Sequence, residues 1–368
     1  MKELKEIVKD LIEFKTVSGN LPEITKCLAY CERLFDGTGA KVRILKEDGI
    51  SPVLYITNQE TMTPDVAVLG HLDVVPAAEE QFVPVKKEGR IYARGALDMK
   101  SFAAVAFGSM AKVLQEKWPL SFAVILTTDE EVGSRGMTLF EKKYPDFCPK
   151  IVLDNDVGGD ILKIVDKCKQ AVFVKLKACG QAVHGSTPWE GTDANERLMQ
   201  MIANLRKTYP YYTKDNAPKN TWINTLHVGK ISGGSAANII SASAEALLDF
   251  RLVETYGLDR LKQDLTQAQI DGVDYEIVSA GIPVVMDRTN PVLKKYKALA
   301  EEELGQEITF EQIGGATDSK TFAAKGALVI YHSGTGDGMH GADEYVDWAS
   351  VEKLAVIQEK FLKNLAGV

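Results

Sequence analysis

Apolar residues Leu4, Ile7, Val8, Leu11 and Ile12 recur among charged ones at helical spacing, which predicts a helix over residues 3–14, and a similar pattern predicts another over 21–35. Strands are predicted near 51–57 and 65–69, followed by a long helix of small and apolar residues over 101–116 and a fully apolar strand over 122–126. Continuous apolar runs mark strands buried on both faces, and hence a sheet sandwiched by helices. From about Gln170 the texture changes: Ala171–Ala178 tends to alternate apolar and polar, as do 222–228 and 244–252, with helical patterns at 193–209 and 259–269. Alternation marks an antiparallel sheet with one wet face, here covered on the other by two helices. After Gly281-Ile282-Pro283 the chain returns to helix (292–304), buried strand (327–332) and a closing helix (347–365). The expected fold class is α/β: a mixed, mostly parallel sheet sandwiched by helices, built from residues 1–169 and 283–368, with an α+β lid domain inserted over 170–282. No internal repeat or low-complexity tract interrupts this plan.

With 368 residues, 45% hydrophobic and 26% charged, the chain has room for two domains and a large core. Its net charge of -8, without long runs of one sign, argues against nucleic acid or an anionic membrane as partner and leaves a small molecule as the expected ligand. The charged, amphipathic start is expected to be helix rather than signal peptide, and no run approaches the ~20 apolar residues of a membrane span. Five cysteines, odd in number and without a C-x-x-C pattern, fit free thiols in a reducing cytoplasm. Cys27 and Cys31, four apart on a predicted helix, have the spacing of a metal pair, but buried small hydrophobes is the favoured reading.

The chemistry sits where strands hand over to loops. His71-Leu72-Asp73 ends the apolar run 65–70; Asp98 follows in Arg94–Lys100; Glu130-Glu131 follow the strand ending at Leu126; Asp154 follows Ile151-Val152-Leu153; His340 lies in Met339–Tyr345. Any one of these is more often a cap or turn residue than a ligand. Several together at the carboxyl edge of a sheet can aim at one point. His71, Asp98, Glu131, Asp154 and His340 make a set of carboxylates and imidazoles without thiolate, suited to two divalent ions, Zn²⁺ first and Co²⁺ or Mn²⁺ tolerated. A carboxylate would bridge them, and a water shared by two such ions is acidified towards about pH 7. Asp73 is placed to accept the other ring N–H of His71, and Glu130 to take the proton of that water and return it to a leaving amine.

The motifs Gly70–Asp73, Arg94–Lys100, Asp129–Ser134, Val183–Pro188 and Met339–Glu344 resemble, in order through nearly the whole chain, those of the dinuclear zinc peptidase and deacylase family. That family includes peptidase T, glutamate carboxypeptidase, aminoacylase, acetylornithine deacetylase and succinyl-diaminopimelate desuccinylase. The resemblance implies that His71 and Asp154 hold one metal and Glu131 and His340 the other, with Asp98 bridging and a cis peptide after it. It makes Glu130 the base and Asp73 the residue that orients His71. In the lid it gives His184, Asn238 and Arg251 substrate contacts, and in Gly314–Asp318 it makes Gly315 part of a glycine loop against the substrate. It also implies a homodimer in which lid domains pair and His184 reaches the partner chain's site. Relatives often carry Glu-Pro-Thr where this chain has Asp154-Asn155-Asp156, so the ligand is Asp154 or Asp156; Asp154, directly after the strand, is favoured. Asp there is more typical of aminopeptidase members, Glu of carboxypeptidases and deacylases.

Blander readings stand beside these. His227 and His332 read as structural, and Arg251 as a possible partner of Asp249 or Glu245. Gly334–Gly338 lacks the Lys-Ser/Thr of a phosphate loop and reads as a flexible approach to His340. The expected function is a co-catalytic metallopeptidase acting on the amino end of short peptides; an N-acyl amino acid deacylase is the alternative. A non-catalytic metal-binding protein would have lost the base or a ligand, and a two-metal phosphatase would show an Arg or Lys cluster beside the ligands; neither holds here.

Overall fold

The computed structural model describes residues 2–315 and 317–368. The chain divides into two compact units: Met1–Asp166 with Met286–Glu311 and Thr317–Val368, and Lys167–Val285 with Gln312–Ala316.

The apolar runs become the middle of the larger unit's sheet. Phe122–Thr127, Val66–His71, Ile151–Asp154 and Leu328–His332 pair in that order, all parallel. Lys41–Glu47 and Ile50–Thr57 extend one side antiparallel, and residues 164–165 pair antiparallel with 331–332 on the other. Strand residues such as Val68, Val124 and Val152 are buried completely, each contributing roughly 1.5–3 kcal/mol over an exposed position. Helix Lys100–Gln115 packs on this sheet and against helices Leu4–Glu13 and Trp348–Ala366. Its Ala- and Phe-rich face, buried from Phe102 to Phe107, explains why its pattern reads as apolar nearly all round.

A small antiparallel sheet in the same unit runs Gly336–Asp337, Tyr345–Asp347, Arg90–Tyr92, Val85–Lys87. This corrects the expectation of a flexible glycine loop before His340: Gly336 is strand-paired, and a Cβ there would meet Tyr345 O at 2.3 Å. The glycines serve close backbone approach.

The smaller unit holds four antiparallel strands, ordered Thr225–Gly233, Ser243–Leu252, Gln170–Cys179, Val273–Ala280. Inward residues Val172, Val174, Leu176, Leu248 and Phe250 form one core with Leu198, Met201, Leu205, Leu261 and Leu265 of helices Ala194–Thr208 and Gly257–Ala268. No helix among the described residues is long and apolar enough to cross a membrane.

Candidate metal centre

The register of the parallel strands brings their carboxyl ends level: His71 lies opposite Thr127, Leu69 opposite Asp154, and Asp154 opposite Tyr331. Gly70 leaves room for Met99, whose Cε a Cβ would meet at 2.2 Å, and Met99 Sδ lies 3.3 Å from the His71 amide that donates to it. The Asp98–Met99 peptide is cis.

Asp98 is the centre of the arrangement. Its Oδ1 lies 3.0 Å from His71 Nε2 and its Oδ2 2.9 Å from His340 Nε2. Glu131 Oε2 is 3.0 Å from His340 Nε2, and Asp156 Oδ1 is 3.7 Å from His71 Nε2. Two groups of potential ligand atoms result, His71 with Glu130 and Asp156, and Asp98 with Glu131 and His340, the atoms of each lying within 4.8 Å of one another.

Asp73 does more than the sequence suggested. The His71 Nδ1–H donates to the Asp73 backbone carbonyl at 2.9 Å, while the carboxylate stands 3.4 Å away. That bond fixes the tautomer and turns Nε2 towards the cluster. The Asp73 carboxylate accepts from Ser18 Oγ (2.7 Å) and from the amides of Glu130 (3.1 Å) and Glu131 (3.3 Å), so one side chain anchors the turn carrying both glutamates. Ser18 was not anticipated, since nothing local marks a serine 55 residues upstream.

Burial and mutual repulsion set the electrostatics. Burial, reinforced by Asp156, drives the Glu130 carboxyl well above its ordinary range. Burial and Asp98 push Glu131 to about 7, and burial pushes Asp156 to about 7 against the pull of His71. Burial opposes charge on His71, but Asp156, Asp73 and Asp98 outweigh it and raise its pKa well above the usual value. Asp98 stays below the carboxylate range despite burial because both imidazoles bond to it. So many acidic groups converging with two imidazoles are what divalent cations relieve, and the donor set of oxygens and imidazole nitrogens fits such ions. Among the described residues no cysteine belongs to either ligand group, and Cys27, Cys31 and Cys168 are buried.

The structure groups Asp156, and not the favoured Asp154, with His71. Asp154, fully buried, accepts from Thr317 Oγ1 at 2.6 Å and from the Asp156 amide at 2.9 Å. The strand ends in a side chain that shapes the turn, and the carboxylate facing His71 comes two residues later.

His184, Asn238 and Arg251 belong to the smaller unit. His184 bridges to Ile239, and Asn238 O accepts the Gly185 amide at 2.8 Å, so two of these residues share one loop pair. Arg251 lies at the other end of its strand, forked onto Asp249 at 2.9 and 3.0 Å. It is not brought together with His184. Nothing requires glycine at Gly315, where a Cβ would meet Ile313 Cδ1 at 3.8 Å; Ala316 lies outside the described residues. Asp318, buried, accepts from Thr127 Oγ1 at 3.1 Å.

The family model described as Peptidase family M20/M25/M40 matches residues 67–364, from the first ligand strand to the last helix. The chain belongs to this family. It is therefore a hydrolase of amide bonds. A probable succinyl-diaminopimelate desuccinylase of Staphylococcus aureus is 27% identical, covering 94% of this chain and 93% of its own length. A succinyl-diaminopimelate desuccinylase of Sulfurovum is 24% identical over 97% and 98%. Among solved structures, an M20 family metallo-carboxypeptidase of Sulfolobus solfataricus superposes with a TM-score of 0.81 at 19% identity, covering 100% of both chains. A tripeptidase of Staphylococcus aureus gives 0.77 at 20%, covering 99% and 98%. These likenesses extend the M20 fold over the whole chain.

Proposed function

We propose that this M20 member is a co-catalytic dinuclear metallopeptidase that hydrolyses the amide bond at the amino end of short peptides. The observation that carries the reading is Asp98, one oxygen 3.0 Å from His71 Nε2 and the other 2.9 Å from His340 Nε2, as a bridging carboxylate requires. His71 and Asp156 would hold one ion, Glu131 and His340 the other, with Asp98 shared; Zn²⁺ suits the set, with Co²⁺ or Mn²⁺ accepted. When bound, two such ions supply Lewis acidity to the scissile carbonyl and acidify a water. Glu130, grouped with His71 and Asp156, would take a proton from water at the site and deliver it to the leaving amine nitrogen. Asp73 holds the Glu130 amide through its carboxylate and the His71 Nδ1–H through its backbone carbonyl, so base and ligand keep their spacing.

The choice of a free-amine substrate rests on family analogy: Asp154 stands where carboxypeptidases and deacylases more often carry the glutamate of Glu-Pro-Thr. A second reading, removal of an N-acyl group from an amino acid, is favoured by the desuccinylase relatives. Hydrolysis of di- and tripeptides measured beside N-acetyl and N-succinyl amino acids, with Zn²⁺, Co²⁺ and Mn²⁺ in turn, separates them. Cleavage confined to the acylated substrates would replace the first reading with the second.

A further inference from the structure

Arg94 and Glu344, 250 residues apart in sequence, form an ion pair buried on both sides. Both lie inside the motifs around Asp98 and His340, but spacing alone gave them no role. Glu344 Oε1 accepts from the amides of Leu97 (2.9 Å) and Asp98 (3.1 Å). Arg94 Nη2 donates to the carbonyls of His340 (2.9 Å) and Gly341 (3.0 Å), and Gln81 Nε2 donates to those of Gly341 and Ala342, both at 3.1 Å. Three consecutive carbonyls of the His340 loop are thus captured by two side chains, and the ion pair ties that loop to the peptide of Asp98. His340 itself has a φ of +63°, a conformation unfavourable for a side-chain-bearing residue that surrounding bonds must maintain.

A buried ion pair adds little net stability, because desolvating two charges cancels most of their attraction. What this one supplies is fixed geometry between two loops. Resting on the dinuclear reading above, we propose that Arg94, Glu344 and Gln81 are positioning residues that set the spacing of Asp98 and His340, and with it the affinity of the ion those two hold with Glu131.

The test is zinc titration of the full chain against a competing chelator, with melting temperature followed without metal. Glu344→Ala should weaken one of the two ions by ~10–100-fold, as loss of outer partners of metal ligands does, and the other by less. In a His340→Ala background the added Glu344→Ala should shift the remaining ion's affinity by no more than the smaller effect that Glu344→Ala alone has on that ion. Asp166→Ala, which removes the buried carboxylate of another ion pair of the same unit, with the half-exposed Arg288 at 2.5 Å, should lower the melting temperature while leaving both affinities alone. Should Glu344→Ala fail to fold, Gln81→Ala removes two of the loop's bonds at a half-buried position and should shift the same ion in the same direction. Equal effects on both ions, or none, overturn the positioning role. A wild type binding fewer than two ions overturns the dinuclear reading, and this inference with it.

Discussion

Two carboxylates separated by one residue exchange roles when the chain turns between them, and Asp154 and Asp156 are such a pair. In an extended strand both would face one side, so proximity to the apolar run favoured the first. The turn closed by the Asp156 amide on Asp154 Oδ1 reverses that, and it depends on Thr317, 163 residues away, which no local pattern reveals. Asp156→Ala should therefore cost the ion on the His71 side, whereas Asp154→Asn, which keeps an oxygen to accept one of the two bonds, should retain two ions per chain. Metal analysis giving the opposite pattern would restore Asp154 as ligand. His71, Asp98, Glu131 and His340 were legible because each follows a strand or sits in a dense motif. Glu130, adjacent to Glu131 but grouped with His71 and Asp156, allows a separate check. Glu130→Gln should bind both ions yet lose ~10²–10⁴-fold in turnover, the share of a general base. Near-normal turnover in a metal-loaded variant would remove Glu130 from that role.

At the scale of elements, the parallel strands were legible because burial on both faces leaves an unbroken apolar run, and the strands of the smaller unit because one wet face imposes alternation. The small sheet flanking His340 was not: its strands are two or three residues long, Val85–Lys87 is exposed throughout, and the pairing of Tyr345–Asp347 with Arg90–Tyr92 joins segments far apart in sequence. The strand Leu328–His332 carries a consequence of its own. His332, completely buried, meets the Tyr296 hydroxyl at 2.9 Å through Nδ1 and directs Nε2–H to Ile161 O at 2.7 Å. Burial lowers its pKa to about 4, against 6.5 for a free histidine. The unfolded chain therefore takes up a proton first as pH falls. The stability contributed by keeping this ring neutral is complete above about pH 6.5 and is lost progressively down to about pH 4, a total on the order of 3 kcal/mol. In metal-free protein, the melting temperature of wild type should fall more steeply across that window than that of His332→Gln, even though the variant starts lower. Parallel slopes would mean that His332 does not titrate there.

At the scale of the whole molecule, His184 belongs to the smaller unit while the ligands belong to the larger. The ring's chemistry suits a donor. The Ser186 amide donates to Nδ1 at 3.2 Å and the Ser186 hydroxyl lies 2.7 Å from the same atom, so the neutral ring carries its proton on Nε2. An Nε2–H aimed at the oxygen that becomes negative during amide cleavage contributes roughly 2.7–4 kcal/mol, or about 10²–10³ in turnover. The sheet of the smaller unit ends in Thr225–Gly233 and Val273–Ala280, and Ile231 on the first is 58% exposed, features of an edge that a second copy can extend. We propose a homodimer in which His184 of one chain serves the metal site of the other. His184→Ala and Glu130→Gln should each be nearly inactive alone with metal content unchanged. Mixed under conditions that exchange subunits, they form dimers in which one site has both residues intact, and activity should return to a fraction of the wild-type value. Exchange demonstrated by differential labelling with no recovery of activity would assign His184 to its own chain or to no site at all.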